Sequence, residues 1–155
     1  MSSGTSAGSD RIRVLIKNGT FLGGLPDEAL DQLARRVNVQ RFAKGSTIYT
    51  RGDSGDSMMI IVSGRVKITN ITADAHEVVL NFLGKGDVLG EIALLDGRER
   101  TASAVALEPT EVLMLQRRDA LPVLSSHPET LLEIIMVLCD KLRLASNITE
   151  SHTLD

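Results

Sequence analysis

Arg100 and Glu91 are the residues of this chain whose setting points to chemistry. Both lie in the stretch Gly86 to Ser103, G-D-V-L-G-E-I-A-L-L-D-G-R-E-R-T-A-S. Gly86 and Gly90 have no Cβ, so the backbone there can turn sharply and come close to a ligand. Ile92, Ala93, Leu94 and Leu95 follow as helix formers, enough for one turn. The first amides of such a turn have no acceptor within the chain and can donate to a bound anion. Gly97 breaks the turn, and Arg100 then brings a fork of donors suited to a phosphate. Thr101 adds a hydroxyl and Ala102 leaves room. Glu91 would repel an anion, so it is read as accepting hydrogen bonds from a neutral part of the same ligand, most simply a sugar hydroxyl. The ordinary readings are plainer: a surface arginine in an ion pair, and a carboxylate stabilised at a helix start.

The order of these groups, an acid, an apolar turn, a glycine and an arginine, resembles the phosphate-binding cassette of cyclic nucleotide-binding domains. The likeness continues upstream through Arg51–Asp56 (R-G-D-S-G-D) and Met59–Ile68, which resemble the glycine-spaced hairpin of those domains. It covers Phe21 to Ser146. The resemblance implies a ligand, cyclic AMP or cyclic GMP, with no further cofactor. It implies contacts from Leu89, Gly90, Glu91, Ile92, Ala93, Arg100, Thr101 and Ala102. In bacterial transcription regulators of the family the terminal helix meets the purine through a Thr-Ser pair. Here Ala145 and Ser146 stand there, so Ser146 matches and the threonine is missing. Lys141 stands where the family keeps a basic residue near the ligand. Thr101 suits either purine. Ser103 is left open between a ligand contact and an ordinary strand hydroxyl.

The elements that must carry this stretch form a mainly β fold with flanking helices, read as a double-stranded β-helix (jelly-roll) barrel. Residues 1–10 are Ser/Gly-rich and expected as a disordered leader. Residues 11–126 are expected to form the barrel domain with its N-terminal helices, and 127–155 a long C-terminal helix. Arg11–Lys17 reads as a short helix, and Asn18–Gly24 as a loop. Pro26 opens a second helix with Ala29, Leu30, Leu33, Ala34 and Val37 on one face. From Asn38 the period changes to short β-like runs cut by glycine turns. Met58–Val62 is wholly apolar, and Met58 and Met59 are read as core. Val66 and Ile68 alternate with Lys67 and Thr69, Thr72–Ala75 is a hairpin tip, and Glu77–Leu83 is a further strand. Many short strands with glycine turns argue for a sandwich or barrel.

Arg118–Leu124 is a short helix, and the pair Arg117–Arg118 is read as solvated. After His127-Pro128 one amphipathic helix runs from Glu129 to about Ser151. Its apolar stripe is Leu131, Ile134, Ile135, Leu138, Leu142, Ala145 and Ile148. From Leu131 to Ile148 it rises about 25 Å, more than a small barrel covers. A homodimer through this helix is therefore expected.

Composition closes off other classes. At 155 residues the chain is read as one domain, with 43% apolar and 24% charged residues. The net charge is −3, with 3% aromatics and no Trp, so DNA contact by this chain itself is not expected. The single cysteine, Cys139, permits no intrachain disulfide. No apolar run is long enough to span a bilayer, and a cytoplasmic location is expected. A metal-dependent enzyme on a cupin-like jelly roll needs clustered ligands, whereas His76, His127 and His152 are scattered, so no catalysis is expected. The chain resembles the N-terminal sensor part of a Crp/Fnr-type regulator, which implies a winged-helix DNA-binding domain after the long helix in a full-length protein. The alternatives are a regulatory module of a kinase or channel, or a same-fold sensor of another small ligand.

Overall fold

The computed structural model describes residues 2–154, with side chains at 8 and over 10–144. Helix α1 (Ser2–Gly19) leads through a 3-10 turn (Phe21–Gly24) into α2 (Asp27–Ala34). Six strands follow: β1 (Asn38–Phe42), β2 (Thr47–Tyr49), β3 (Ser57–Ser63), β4 (Val66–Ile71), β5 (Glu77–Leu83) and β6 (Val88–Leu89). Then come α3 (Glu91–Asp96), β7 (Ser103–Ala106), β8 (Thr110–Gln116), α4 (Arg117–Ser125) and α5 (Pro128–Leu154). The strands form two antiparallel sheets, ordered β1-β8-β3-β6 and β2-β7-β4-β5. This is the jelly roll with flanking helices that the sequence leads one to expect.

The apolar run in β3 explains the layering. Successive strand side chains point to opposite faces. Met59 and Ile61 therefore join Val66, Leu89, Ala104 and Val112 between the two sheets. Met58 and Ile60 point the other way, with Leu113 and Leu115 of β8, onto a helical layer of Ile16, Leu22, Leu30, Leu33, Leu124 and Ile134. β3 reads as continuously apolar because it is covered on both faces. β5 is the opposite case. It is an edge strand, and Val78, Val79, Leu80 and Phe82 are exposed despite their apolar character.

Four local expectations are corrected. Residues 18–24, read as a loop, hold the end of α1 and a 3-10 turn over Phe21–Gly24 that Thr20 caps. α1 starts at Ser2, so the segment read as a leader is helical from there; Met1 lies outside the described residues. The reason lies at its other end. Ile16 is buried, Ile12 and Leu15 pack beside it, and Arg13 pairs with Asp10 and Asp31 at 3.0 Å. Once those turns are docked, further turns extend without a new nucleation cost. α2 stops at Ala34 rather than Val37, and Pro26 is its N-cap rather than part of its first turn. The stripe on α5 splits. Ile134 is buried and Leu131 and Leu138 pack on the core, whereas Ile135 and Leu142 are exposed with Leu132, Met136 and Leu144. The side chains of Ala145 and Ile148 lie outside the described residues. α5 leaves α4 at a bend of 114°. Among the described residues no single helix is long and apolar enough to cross a membrane.

Candidate functional site

The short strand β6 delivers the chain to Gly90, which takes the left-handed conformation (φ 72°) that a side chain disfavours. α3 begins at the next residue, with no side chain capping its N-terminus, and ends at Gly97, again left-handed (φ 65°). The loop that follows returns through Arg100 into β7. Between this turn-helix-loop and the barrel wall lies a cavity of about 540 Å³. Leu89, Gly90, Glu91, Ile92, Ala93, Arg100, Thr101 and Ala102 all line it, so the geometry brings those eight residues together. Ile68 and Leu83 complete an apolar wall with Val88 and Leu89. A second recess of about 410 Å³, between α2 and α4, is lined by exposed Arg35, Arg36 and Arg118. It has no buried polar group, so the first cavity is the candidate site.

Arg100 is the physical oddity of the molecule. It is only 6% exposed. Nη2 donates to the Ser57 carbonyl at 2.9 Å and to Ser57 Oγ at 3.0 Å. Nε and Nη1 are buried and have no acceptor. No carboxylate pairs with the guanidinium among the described residues, and the Tyr49 ring lies 4.5 Å from it, centroid to Cζ. A buried cation with two orphaned donors is costly unless something supplies the missing acceptors. Its backbone is fixed on both sides: Arg100 N donates to Asp53 O at 2.8 Å, and Gly52 N to Arg100 O at 2.9 Å. The glycine-spaced Arg51–Asp56 loop thus holds Arg100 in place. Gly55 is needed there because a Cβ would strike Arg98 O and the Ala93 side chain. At Gly90 a Cβ would fall on Nη1 of Arg100, so the guanidinium is packed directly against the turn.

Glu91 sits at the junction of three segments. Oε2 accepts from the Phe21 amide at 2.9 Å, and Oε1 from Lys141 Nζ at 3.2 Å. The carboxylate is therefore shared by the N-terminal 3-10 turn and α5, and Lys141 reaches the site through it rather than lining the cavity. A carboxylate has about four acceptor positions, so capacity remains. Thr101 and Ala102 lie on the cavity rim, with the Thr101 carbonyl held by Asn70 Nδ2 at 3.2 Å. Ser103 Oγ accepts from the Arg51 amide at 2.9 Å, which gives that hydroxyl a structural role. Ser146 is in α5, but its side chain lies outside the described residues.

Sequence reasoning missed Tyr49 and Ser57, which touch Arg100 from strands 51 and 43 residues away. Burial raises the Tyr49 phenol above its ordinary value, and the neighbouring Arg100 charge offsets part of that rise. Arg117 is also misread as solvated. Its Nη2 donates to Leu95 O at 3.2 Å, its Nε is buried, and a Cβ on Gly97 would lie 3.0 Å from it. Arg117 is drawn in because the last carbonyls of α3 need a donor. Arg118 is exposed as expected. Among the described residues His76 pairs with Asp74 at 3.1 Å and His127 with Glu129 at 3.4 Å; the side chain of His152 lies outside them.

The profile described as Cyclic nucleotide-binding domain matches residues 39–127. A CRP-like cAMP-activated global transcriptional regulator of Mycobacterium tuberculosis is 30% identical over 134 residues, 86% of this chain and 59% of that protein. The Cyclic AMP receptor protein of Thermus thermophilus is 33% identical over 128 residues, 83% of this chain and again 59% of that protein. The chain therefore spans little more than half the length of these curated relatives. Among solved structures, the N-terminal domain of a transcriptional regulator from Streptomyces coelicolor superposes with a TM-score of 0.74 at 27% identity, covering 87% of this chain and 94% of that one.

Proposed function

The chain belongs to the cyclic nucleotide-binding domain family, and we propose that it binds a cyclic nucleotide, cyclic AMP or cyclic GMP, as the sensor part of a Crp/Fnr-type regulator. The observation that carries this is Arg100, a buried cation whose Nε and Nη1 have no acceptor. A cyclic phosphate supplies one negative charge and several acceptors, which would relieve both nitrogens. The uncapped amides of α3 would donate to the same phosphate. Glu91 would accept from the sugar hydroxyl with its remaining lone pairs. The purine would lie toward Ile68, Leu83 and α5, with Thr101, Ala102, Lys141 and Ser146 as its neighbours.

Binding in this arrangement moves the protein. Nη1 of Arg100 rests against Gly90, so an anion bridging the guanidinium and the α3 amides must part them. α3 then shifts against Arg117 and α4, and Glu91 loosens its ties to Phe21 and Lys141. α5 is biased only insofar as the ligand prefers one of the two arrangements. The exposed apolar residues of α5 would pack against a second copy, making the sensor a homodimer. In a whole regulator the expected output is a DNA-binding domain beyond α5, acting in the cytoplasm.

Isothermal titration of the chain with cyclic AMP and cyclic GMP tests the reading. Saturable heat with one ligand per chain is expected for at least one of them. No heat, together with no displacement of a fluorescent analogue at millimolar ligand, refutes it.

A further inference from the structure

In the proposed binding step Arg100 holds still while the turn at Gly90 moves away from it. Its Nη2 edge is tied to Ser57 and its Nη1 edge is the one packed on Gly90. Among the described residues the Tyr49 ring also lies against the guanidinium, its centroid 4.5 Å from Cζ. Tyr49 comes from β2, on the barrel wall, and lines the same cavity. It belongs to the sheet side of the site, because β2 pairs with β7 through Thr47 and Tyr49, with a register shift between them.

We infer that Tyr49 is a positioning residue of the anion site: its ring holds one face of the Arg100 guanidinium dry and fixed while the Gly90 side opens for a ligand. The inference rests on the cyclic nucleotide reading for its effect on affinity, but the ring–guanidinium contact exists without ligand. A ring face attracts a desolvated guanidinium and also excludes water from it. A leucine is smaller than the ring and offers no such attraction, leaving Arg100 wetter and free to swing with the turn. The ring is what acts, so a phenylalanine serves as well as a tyrosine.

The test compares Tyr49→Phe with Tyr49→Leu, after circular dichroism shows that both keep the fold. Tyr49→Phe is expected to bind the cyclic nucleotide within about twofold of wild type, and Tyr49→Leu about tenfold more weakly. Equal affinity of Tyr49→Leu and wild type overturns the inference, and so does a loss in Tyr49→Phe as large as that in Tyr49→Leu. Tyr49 is the chain's one tyrosine, so ring-labelled tyrosine gives a single set of NMR signals to follow. Those signals should move on titration of the wild-type chain, and static signals at saturation also overturn the proposal. If the wild-type chain binds neither nucleotide, the ligand reading fails and the free protein decides. Thermal melts of Tyr49→Leu, Arg100→Leu and the double variant are then compared. Non-additive losses uphold the bracing contact, and additive ones remove it.

Discussion

Replacing Arg100 with leucine should separate binding from folding. In the free protein Arg100 makes two hydrogen bonds to Ser57 and leaves two buried nitrogens without acceptors. Bonds to a charged donor contribute about 1.5–3 kcal/mol each, and an orphaned buried donor costs about 1–3 kcal/mol. Two of each nearly cancel, so Arg100→Leu should leave the unfolding free energy of the free chain within about 1–2 kcal/mol of wild type. In the proposed complex the two nitrogens would gain acceptors. Two charge-assisted bonds contribute about 3–6 kcal/mol, so the variant should bind about a hundredfold to ten-thousandfold more weakly. Urea denaturation with and without cyclic AMP or cyclic GMP reads both quantities. At a ligand concentration of 100 times the dissociation constant, wild type should gain about 2.7 kcal/mol that Arg100→Leu lacks. A variant that loses several kcal/mol without ligand yet binds as tightly as wild type would show Arg100 to be structural and refute the reasoning.

Gly90→Ala should lower stability by about 1–3 kcal/mol and abolish binding, because it combines backbone strain at φ 72° with a Cβ driven onto Arg100. Gly45→Ala is the control in urea melts: φ is 83° but nothing lies within 4 Å, so only the strain of about 1 kcal/mol should appear. The Tyr49 phenol should titrate above 10.0, since burial favours its neutral form, and Arg100→Leu should raise it further by removing the offsetting charge. The folded-state value being the higher one, this group's stabilising effect is complete below the unfolded value near 10.0 and is lost as pH rises through the folded value. Ultraviolet absorbance of this single tyrosine measures the titration, and a downward shift in Arg100→Leu would contradict the contact. Leu142→Glu, at a position 71% exposed on α5, should turn a dimer into a monomer in sedimentation velocity. A wild-type chain already monomeric at micromolar concentration would sink the dimer proposal.

The cassette was legible because its parts are local. A left-handed turn demands glycine, one helical turn demands apolar helix formers, and Arg100 is ten residues beyond Gly90. The strand pattern was legible where one rule applied, as in the doubly covered β3. What stayed hidden depends on contacts distant in the chain. Ser57 and Tyr49 meet Arg100 only because β2 and β7 pair and β3 lies across the barrel. Arg117 and Arg118 look alike as neighbours, and only the end of α3 tells them apart. β5 has the apolar content of a buried strand and stands exposed, since periodicity reports what a side chain prefers and not what the fold places over it. α1 outran its reading because docking of Ile16 outweighs the weak propensity of a Ser/Gly-rich start.

One carboxylate, that of Glu91, is the meeting point of chain positions 21, 91 and 141. In the proposed complex, a newcomer's hydroxyl arriving there would disturb the 3-10 turn after the first helix and the flank of the last helix in the same event. News of occupancy would therefore reach the N-terminal and C-terminal helical segments together, with no relay through the barrel.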